Sequence, residues 1–291
     1  MKLDPNAAVL IVGLGLIGGS YAKGLKKAGH TVYAVDISAE TIQYALNNNL
    51  IDEGDTAPDP SVLGKADVVV LALYPHLTLA WVRNNQDALK SGAIITDVTG
   101  VKSCIVYDIQ KILRPDLEFI AAHPMAGKEV SGIVNSDEKI FYDANYIIVP
   151  TDRNSFRSIE ICKGIGETLQ FAHISSLPPP AHDEMIGFVS QLTHCIAICL
   201  MTCSTSEHLV DYTGDSFRDL TRIAKINVEM WSELFMLNRD ALLRQMESFL
   251  CEFEQFHDLL AAGEVERIKE KMALSAQKRA LFDRRQRSEI K

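Results

Sequence analysis

The segment that most constrains this chain is Gly13-Leu14-Gly15-Leu16-Ile17-Gly18. Its three glycines have G-x-G-x-x-G spacing. They follow directly on an apolar run, Ala7–Val12, and lead into a helical pattern, Ile17–Ala28, that Gly29 stops. A chain leaving a buried strand for a helix needs a tight turn, which Gly13 permits. Gly15 lets a pyrophosphate approach the backbone, and Gly18 lets the helix pack closely on the strand. Leu16 and Ile17 fall in the first helical turn, whose free N–H groups form an anion site.

The bare pattern is weak, and its context strengthens it. The next apolar run, Thr31–Asp36, ends in a carboxylate where a dinucleotide presents its ribose. Asp36 can accept hydrogen bonds from both ribose hydroxyls and would repel a 2′-phosphate. Ile37 and Ser38 follow it, with no Arg or Lys, so NAD is the expected cofactor rather than NADP. Leu73 and Pro75, which close the apolar run Ala66–Leu73, are placed against the same ligand.

Further apolar runs at Ala93–Val98, Glu118–Ala122, Asn145–Val149 and Gln170–Ile174 read as strands. Helical patterns lie at Ala39–Asn48, Leu77–Leu89 and Lys102–Leu113. Strands alternating with helices predict an α/β fold, a Rossmann-type doubly wound parallel sheet covered on both faces. After Pro178-Pro179-Pro180 only helical patterns remain, broken at Gly214 and Gly263. Two domains follow: residues 1–175, binding the nucleotide, and residues 176–291, an all-helical domain for substrate binding and dimerisation. So many apolar helix faces call for a second subunit, so a homodimer is expected.

The formal net charge of −9 argues against nucleic acid or an anionic membrane as partner. No signal-peptide pattern opens the sequence, and the six cysteines show no paired Cys-x-x-Cys spacing, which fits a reducing cytoplasm and no bound metal. Cys195, Cys199 and Cys203 recur every fourth residue and read as a buried helix stripe. Met185–Cys203 is apolar enough to raise the question of a membrane, but Ser190, Gln191, Thr193 and His194 interrupt it. The expectation is a helix buried on all sides within the protein.

Ligands of open α/β sheets sit beyond the carboxyl ends of the strands. His123 directly follows the strand Glu118–Ala122, so it should project there, where an imidazole can take a proton at neutral pH. Taken alone, Arg222 reads equally well as a surface residue paired with Asp219, and His194 as a hydrogen-bonded core histidine. His182, near a helix start, needs only a surface or capping role.

Longer motifs carry a resemblance. His123-Pro124-Met125-Ala126-Gly127-Lys128-Glu129 resembles the H-P-M-x-G segment of the prephenate/arogenate dehydrogenase family. Thr96-Asp97-Val98-Thr99-Gly100-Val101-Lys102 resembles its D-x-x-S-x-K segment, and Ser190–His194 its substrate-pocket helix. Phe217–Ala224, followed by Met230-Trp231, resembles its F-x-D-x-T-R-I-A segment. The resemblance runs from the glycine fingerprint to the C-terminal helices. It implies NAD-dependent oxidative decarboxylation of prephenate to 4-hydroxyphenylpyruvate in tyrosine biosynthesis, with His123 as general base. Arg222 would hold a substrate carboxylate, and His194, Thr99, Lys128, Glu129 and Trp231 would line the pocket. Thr99 would also touch the cofactor.

Two positions depart from the family pattern. Gly100 stands where a serine usually helps hold the reacting ring alcohol, which leaves Thr99, Ser103 or a water to replace it. Lys128 stands where a small or hydroxyl residue is usual. Facing the pocket, it would attract an anionic substrate and lower the basicity of His123. That charge favours prephenate over arogenate, whose side chain carries an amino group. Other readings are a β-hydroxyacid dehydrogenase, which shares the two-domain plan, and a catalytically silent NAD-binding sensor, which the loss at Gly100 would fit.

Overall fold

The computed structural model describes residues 3–289. Eight strands form one sheet: β1 Val9–Val12, β2 Val32–Val35, β3 Glu53–Asp55, β4 Val68–Leu71, β5 Ile94–Asp97, β6 Glu118–Pro124, β7 Asn145–Val149 and β8 His173–Ser176. Their order is β3-β2-β1-β4-β5-β6-β7-β8. The chain order reverses between β1 and β4, which opens a crevice at the carboxyl ends of those two strands. Six helices accompany the sheet: α1 Leu16–Lys27, α2 Ala39–Asn47, α3 Pro60–Leu63, α4 Pro75–Asn85, α5 Val106–Ile112 and α6 Phe156–Thr168.

The strand sequences explain the layering. In β1, Val9 and Ile11 join one apolar cluster while Leu10 and Val12 join another. Successive side chains of a strand point to opposite faces, so a strand apolar throughout must be covered twice. Tyr21, Phe141 and Tyr146 fill the first layer; Val82, Val106 and Phe119 belong to the second.

The sheet departs from the expected parallel arrangement at one place. Strands β3 to β6 are mutually parallel, but β7 runs antiparallel to β6, with His123 opposite Ile147; β8 is parallel to β7. Between β6 and β7 the chain forms only short 3₁₀ turns, Ile133–Asn135 and Glu138–Phe141. A parallel return needs a crossover over one face, usually a helix, and α6 supplies one between β7 and β8. The antiparallel pairing also extends β6 to Pro124, so His123 lies within the strand rather than after it.

Beyond β8 every regular element among the described residues is helical: α7 Pro179–Ile186, a π-helical turn Gly187–Leu192, α8 Thr193–Cys203, α9 Leu209–Tyr212, α10 Asp215–Thr221, α11 Val228–Leu237, α12 Arg239–Ala261 and α13 Val265–Glu289. The chain resolves into two compact units, Met1–Ala241 and Leu242–Lys291. The first therefore carries the sheet together with α7 to α11. In the second, Gly263, at φ +69°, turns the chain between α12 and α13, and a Lys271–Glu252 ion pair of 2.8 Å joins the two helices.

The Pro179–Cys203 helical run is not buried on all sides. It spans 25 residues, and by length and composition it could cross a membrane, yet only 28% of its most apolar window is buried within the chain. Within α8 only Ala197 is buried, and Cys199 and Cys203 are exposed. A helix apolar around its whole circumference needs cover on every side, and the described part of this chain covers one side of it.

Candidate active site

The glycine loop has the geometry that the sequence called for. Gly13 has φ +91°, and a Cβ there would lie 2.5 Å from the Ala72 carbonyl oxygen and 3.3 Å from Leu73. A Cβ on Gly18 would lie 1.9 Å from the Gly13 carbonyl oxygen. Both positions are closed to any side chain. Gly15 differs: nothing lies within 4 Å of its Cβ position, and it caps α1 on the open side of the loop. The first-turn N–H groups at Leu16, Ile17 and Gly18 have no helical carbonyl to bind. Asp36, at the end of β2, accepts hydrogen bonds from the Leu14 N–H at 2.7 Å and the Ser38 N–H at 2.9 Å. Its carboxylate thus shapes the loop and retains lone pairs for a ribose. Pro75 is buried as the first residue of α4. Open backbone at Gly15, closed packing at Gly13 and Gly18 and a carboxylate at the next strand end together fit a dinucleotide.

Further along the same sheet edge lies a polar cluster buried between β5, β6 and α7. Lys102 and Asp97 are both 0% exposed and form an ion pair of 2.7 Å. The Lys102 ammonium also donates to the Ala122 carbonyl at 2.6 Å and to Thr99 Oγ1 at 3.2 Å. Asp97 accepts from the N–H groups of Thr99 and Ala122 and from the Thr99 hydroxyl. The Thr99 hydroxyl is therefore part of this network. Burial lowers the Lys102 pKa, and its Asp97 partner opposes that shift.

His123 joins this cluster through His182. Its Nδ1 lies 2.9 Å from His182 Nε2, and His182 Nδ1 lies 2.8 Å from Asp183 Oδ1. His182 is fully buried, and the surface or capping role expected for it is overturned. No local pattern marked it, because the partner that gives it meaning is 59 residues away. The His123 pKa lies well below the usual histidine value, first through burial, then through the neighbouring His182 and Lys102. Lys128 has no part in this: it pairs with Asp137 at 3.5 Å. The positive charge acting on His123 comes from Lys102.

The hydroxyls that flank Gly100 already have partners within the chain. The Thr99 hydroxyl is engaged as described, and the Ser103 hydroxyl and N–H both bind Asp183. A Cβ on Gly100 would lie 3.6 Å from the Leu234 methyls and 3.9 Å from His123 Cε1. Gly100 therefore borders His123 directly.

A second group gathers around α11. Trp231 lies against the His194 ring at a centroid distance of 3.7 Å and also contacts Phe235. His194 Nδ1 donates to the Ser190 carbonyl at 2.9 Å, which leaves Nε2 as acceptor. Its pKa is lowered by burial, against the Ser190 hydrogen bond and Glu129; Arg222 adds to the lowering. Arg222 pairs with Glu129 across 93 residues, not with Asp219 three positions before it. The π-helical turn and α11 tie the two groups together: Gln191 donates to the Leu234 carbonyl at 3.0 Å, and Leu234 sits over Gly100 one turn beyond Trp231. Of the expected pocket residues, His194, Arg222, Glu129 and Trp231 come together, whereas Thr99 and Lys128 are engaged elsewhere.

Among the described residues no cluster could hold a metal ion. Residues 21–172 match the prephenate dehydrogenase nucleotide-binding domain, starting just past the glycine loop, and residues 178–274 match the prephenate dehydrogenase dimerization domain. The prephenate dehydrogenase of Lactococcus lactis is 32% identical over 249 residues, covering 83% of this chain and 68% of that protein. The crystal structure of Aquifex aeolicus prephenate dehydrogenase with hydroxyphenyl propionate and NAD+ superposes with a TM-score of 0.87 at 29% identity, covering 95% of this chain and 98% of that one. Synechocystis arogenate dehydrogenase has a TM-score of 0.82 at 25% identity, covering 94% and 99%. Sequence match across both halves and a shared fold converge on one assignment: the chain belongs to the prephenate dehydrogenase family.

Proposed function

We propose that this chain oxidises prephenate to 4-hydroxyphenylpyruvate and CO₂ with NAD as hydride acceptor. The observation that carries this reading is His123, kept neutral by burial near the carboxyl end of β6 and beside Gly100. A neutral imidazole there can take the proton of a ring alcohol. Bound NAD would supply the hydride acceptor.

His123 accepts the hydroxyl proton as the alcohol carbon gives up hydride. The ring carboxylate leaves as CO₂, its bonding electrons aromatise the ring, and His123 returns the proton to the phenolate oxygen. Proton and hydride thus balance with no other reactant. Arg222 binds a substrate carboxylate through its planar fork of donors, exchanging Glu129 for substrate. His194, held against Trp231 and beside Glu129 and Arg222, lines the substrate pocket. The Leu16, Ile17 and Gly18 N–H groups receive the pyrophosphate, Asp36 the ribose, and Leu73 and Pro75 pack against the cofactor. Residues 1–175 form the nucleotide-binding domain and residues 176–291 the substrate-binding and dimerisation domain. The uncovered apolar face of the Pro179–Cys203 run supports a homodimer, and the free thiols fit the cytoplasm.

Arogenate is the competing substrate, since a relative carries that name. With Lys128 paired to Asp137, the preference for prephenate rests on Arg222 and on the relatives named for it. NADH formation with each substrate in turn decides between them. Turnover of neither refutes the dehydrogenase reading, and faster turnover of arogenate refutes the preference. His123→Asn should abolish turnover while NAD still binds; near-normal turnover would remove His123 from the mechanism.

A further inference from the structure

We propose that His182 and Asp183 set the tautomer of His123, holding its proton on Nδ1 so that Nε2 is the basic atom. The proposal deepens the reading of His123 as the base and rests on it. His182 and Asp183 are consecutive residues of α7, close behind the Pro178-Pro179-Pro180 run. Asp183 is anchored from two sides. The Lys102 N–H donates to its Oδ1 at 2.9 Å and the Ser103 N–H to its Oδ2 at 2.8 Å. The Asn238 amide, itself donating to Gln191 Oε1, donates to the Asp183 carbonyl at 2.9 Å.

The proton assignments follow link by link. Burial opposes the charge on Asp183, but hydrogen bonds from His182 and Ser103 outweigh it and hold the carboxyl below its usual range. An ionised carboxylate only accepts, so His182 Nδ1 must carry hydrogen. Burial keeps His182 below the usual histidine value, against the pull of Asp183, so near neutral pH it carries one proton. Its Nε2 is then a bare lone pair, 2.9 Å from His123 Nδ1, and His123 must donate. His123 is neutral as well, which leaves its Nε2 as the acceptor. The other charges nearby, Lys102 and Asp97, are paired with each other. Asp183 is thus the anion that meets the positive charge developing on His123. His182 and Asp183 are positioning residues: they act through His123.

The tautomer can be read directly from the ¹⁵N shifts of the histidine rings in the full-length protein above pH 7. The expected spectrum shows His123 with a protonated Nδ1 and a bare Nε2. His182→Leu removes the acceptor, so His123 should lose that tautomer. Its kcat should fall by about 10²-fold, within the range of general-base effects, with little change in NAD affinity. His182→Gln keeps an oxygen that can accept from Nδ1 and should restore both the spectrum and most of the rate. A wild-type His123 protonated on Nε2 overturns the proposal, as does a Gln variant no better than Leu. Should His182→Leu not fold, the wild-type and Gln spectra still decide. Absence of turnover with either substrate would refute the dehydrogenase reading and leave the tautomer result standing.

Discussion

Lys102→Met removes a buried cation and keeps most of its apolar volume. Lys102 and Asp97 are both 0% exposed, so neither charge has water as an alternative partner. Breaking a buried pair by removing one member costs about 3–5 kcal/mol, because the other charge is left uncompensated. Asp97 would keep the Thr99 and Ala122 N–H groups and the Thr99 hydroxyl as donors, which places the cost near the lower end, about 3 kcal/mol. The Ala122 carbonyl also loses a donor, adding about 1 kcal/mol. For 291 residues at about 2.1 cal/mol/K each, the unfolding entropy is about 0.6 kcal/mol/K. The melting temperature should therefore fall by about 5–7 °C. Differential scanning calorimetry measures it at a fixed protein concentration, because subunit association would make it concentration-dependent. Adding Asp97→Asn should recover part of the loss, since the stranded charge is removed. A single variant that melts within about 1 °C of wild type, or a double variant less stable than the single, would refute the claim that the pair is buried and interdependent.

Other outcomes follow from the same geometry. Gly18→Ala puts a methyl 1.9 Å from the Gly13 carbonyl oxygen and should cost at least about 1–3 kcal/mol in urea unfolding, whereas Gly15→Ala meets nothing and should leave stability unchanged while weakening NAD binding in calorimetric titration. Gly100→Ser adds a Cβ at ordinary contact distance, so the fold should accept it. If its hydroxyl reaches the ring alcohol, one hydrogen bond of about 1 kcal/mol raises kcat about fivefold, and an unchanged kcat would show that the hydroxyl does not reach. His123 is neutral in the folded chain below the pH at which a free histidine gains its proton. The unfolded chain then binds more protons, so stability should fall as the pH drops below about 6.5, and His123→Asn should flatten that slope in urea titrations.

What was legible in the sequence depended on local patterns. The glycine loop, Asp36 and the strand–helix alternation are written in neighbouring residues, because turn sterics and side-chain periodicity act over a few positions. His123 was legible from its place after an apolar run, and Arg222 and His194 from motif resemblance. The rest was decided by contacts distant in sequence. His182 looks like any histidine near a helix start until β6 and α7 bring it against His123. Lys128 stands beside His123 in sequence, yet its charge is taken up by Asp137, while Lys102 reaches His123 from another strand end. The antiparallel β7 depends on the chain's path between β6 and β7, which strand composition does not encode. The apolar run Pro179–Cys203 shows the same limit: hydrophobicity determined that it must be covered, and only the tertiary structure showed that its own chain covers little of it. Charge and apolar surface are satisfied by whatever lies nearest in space, so the sequence reveals the requirement while the fold selects the partner.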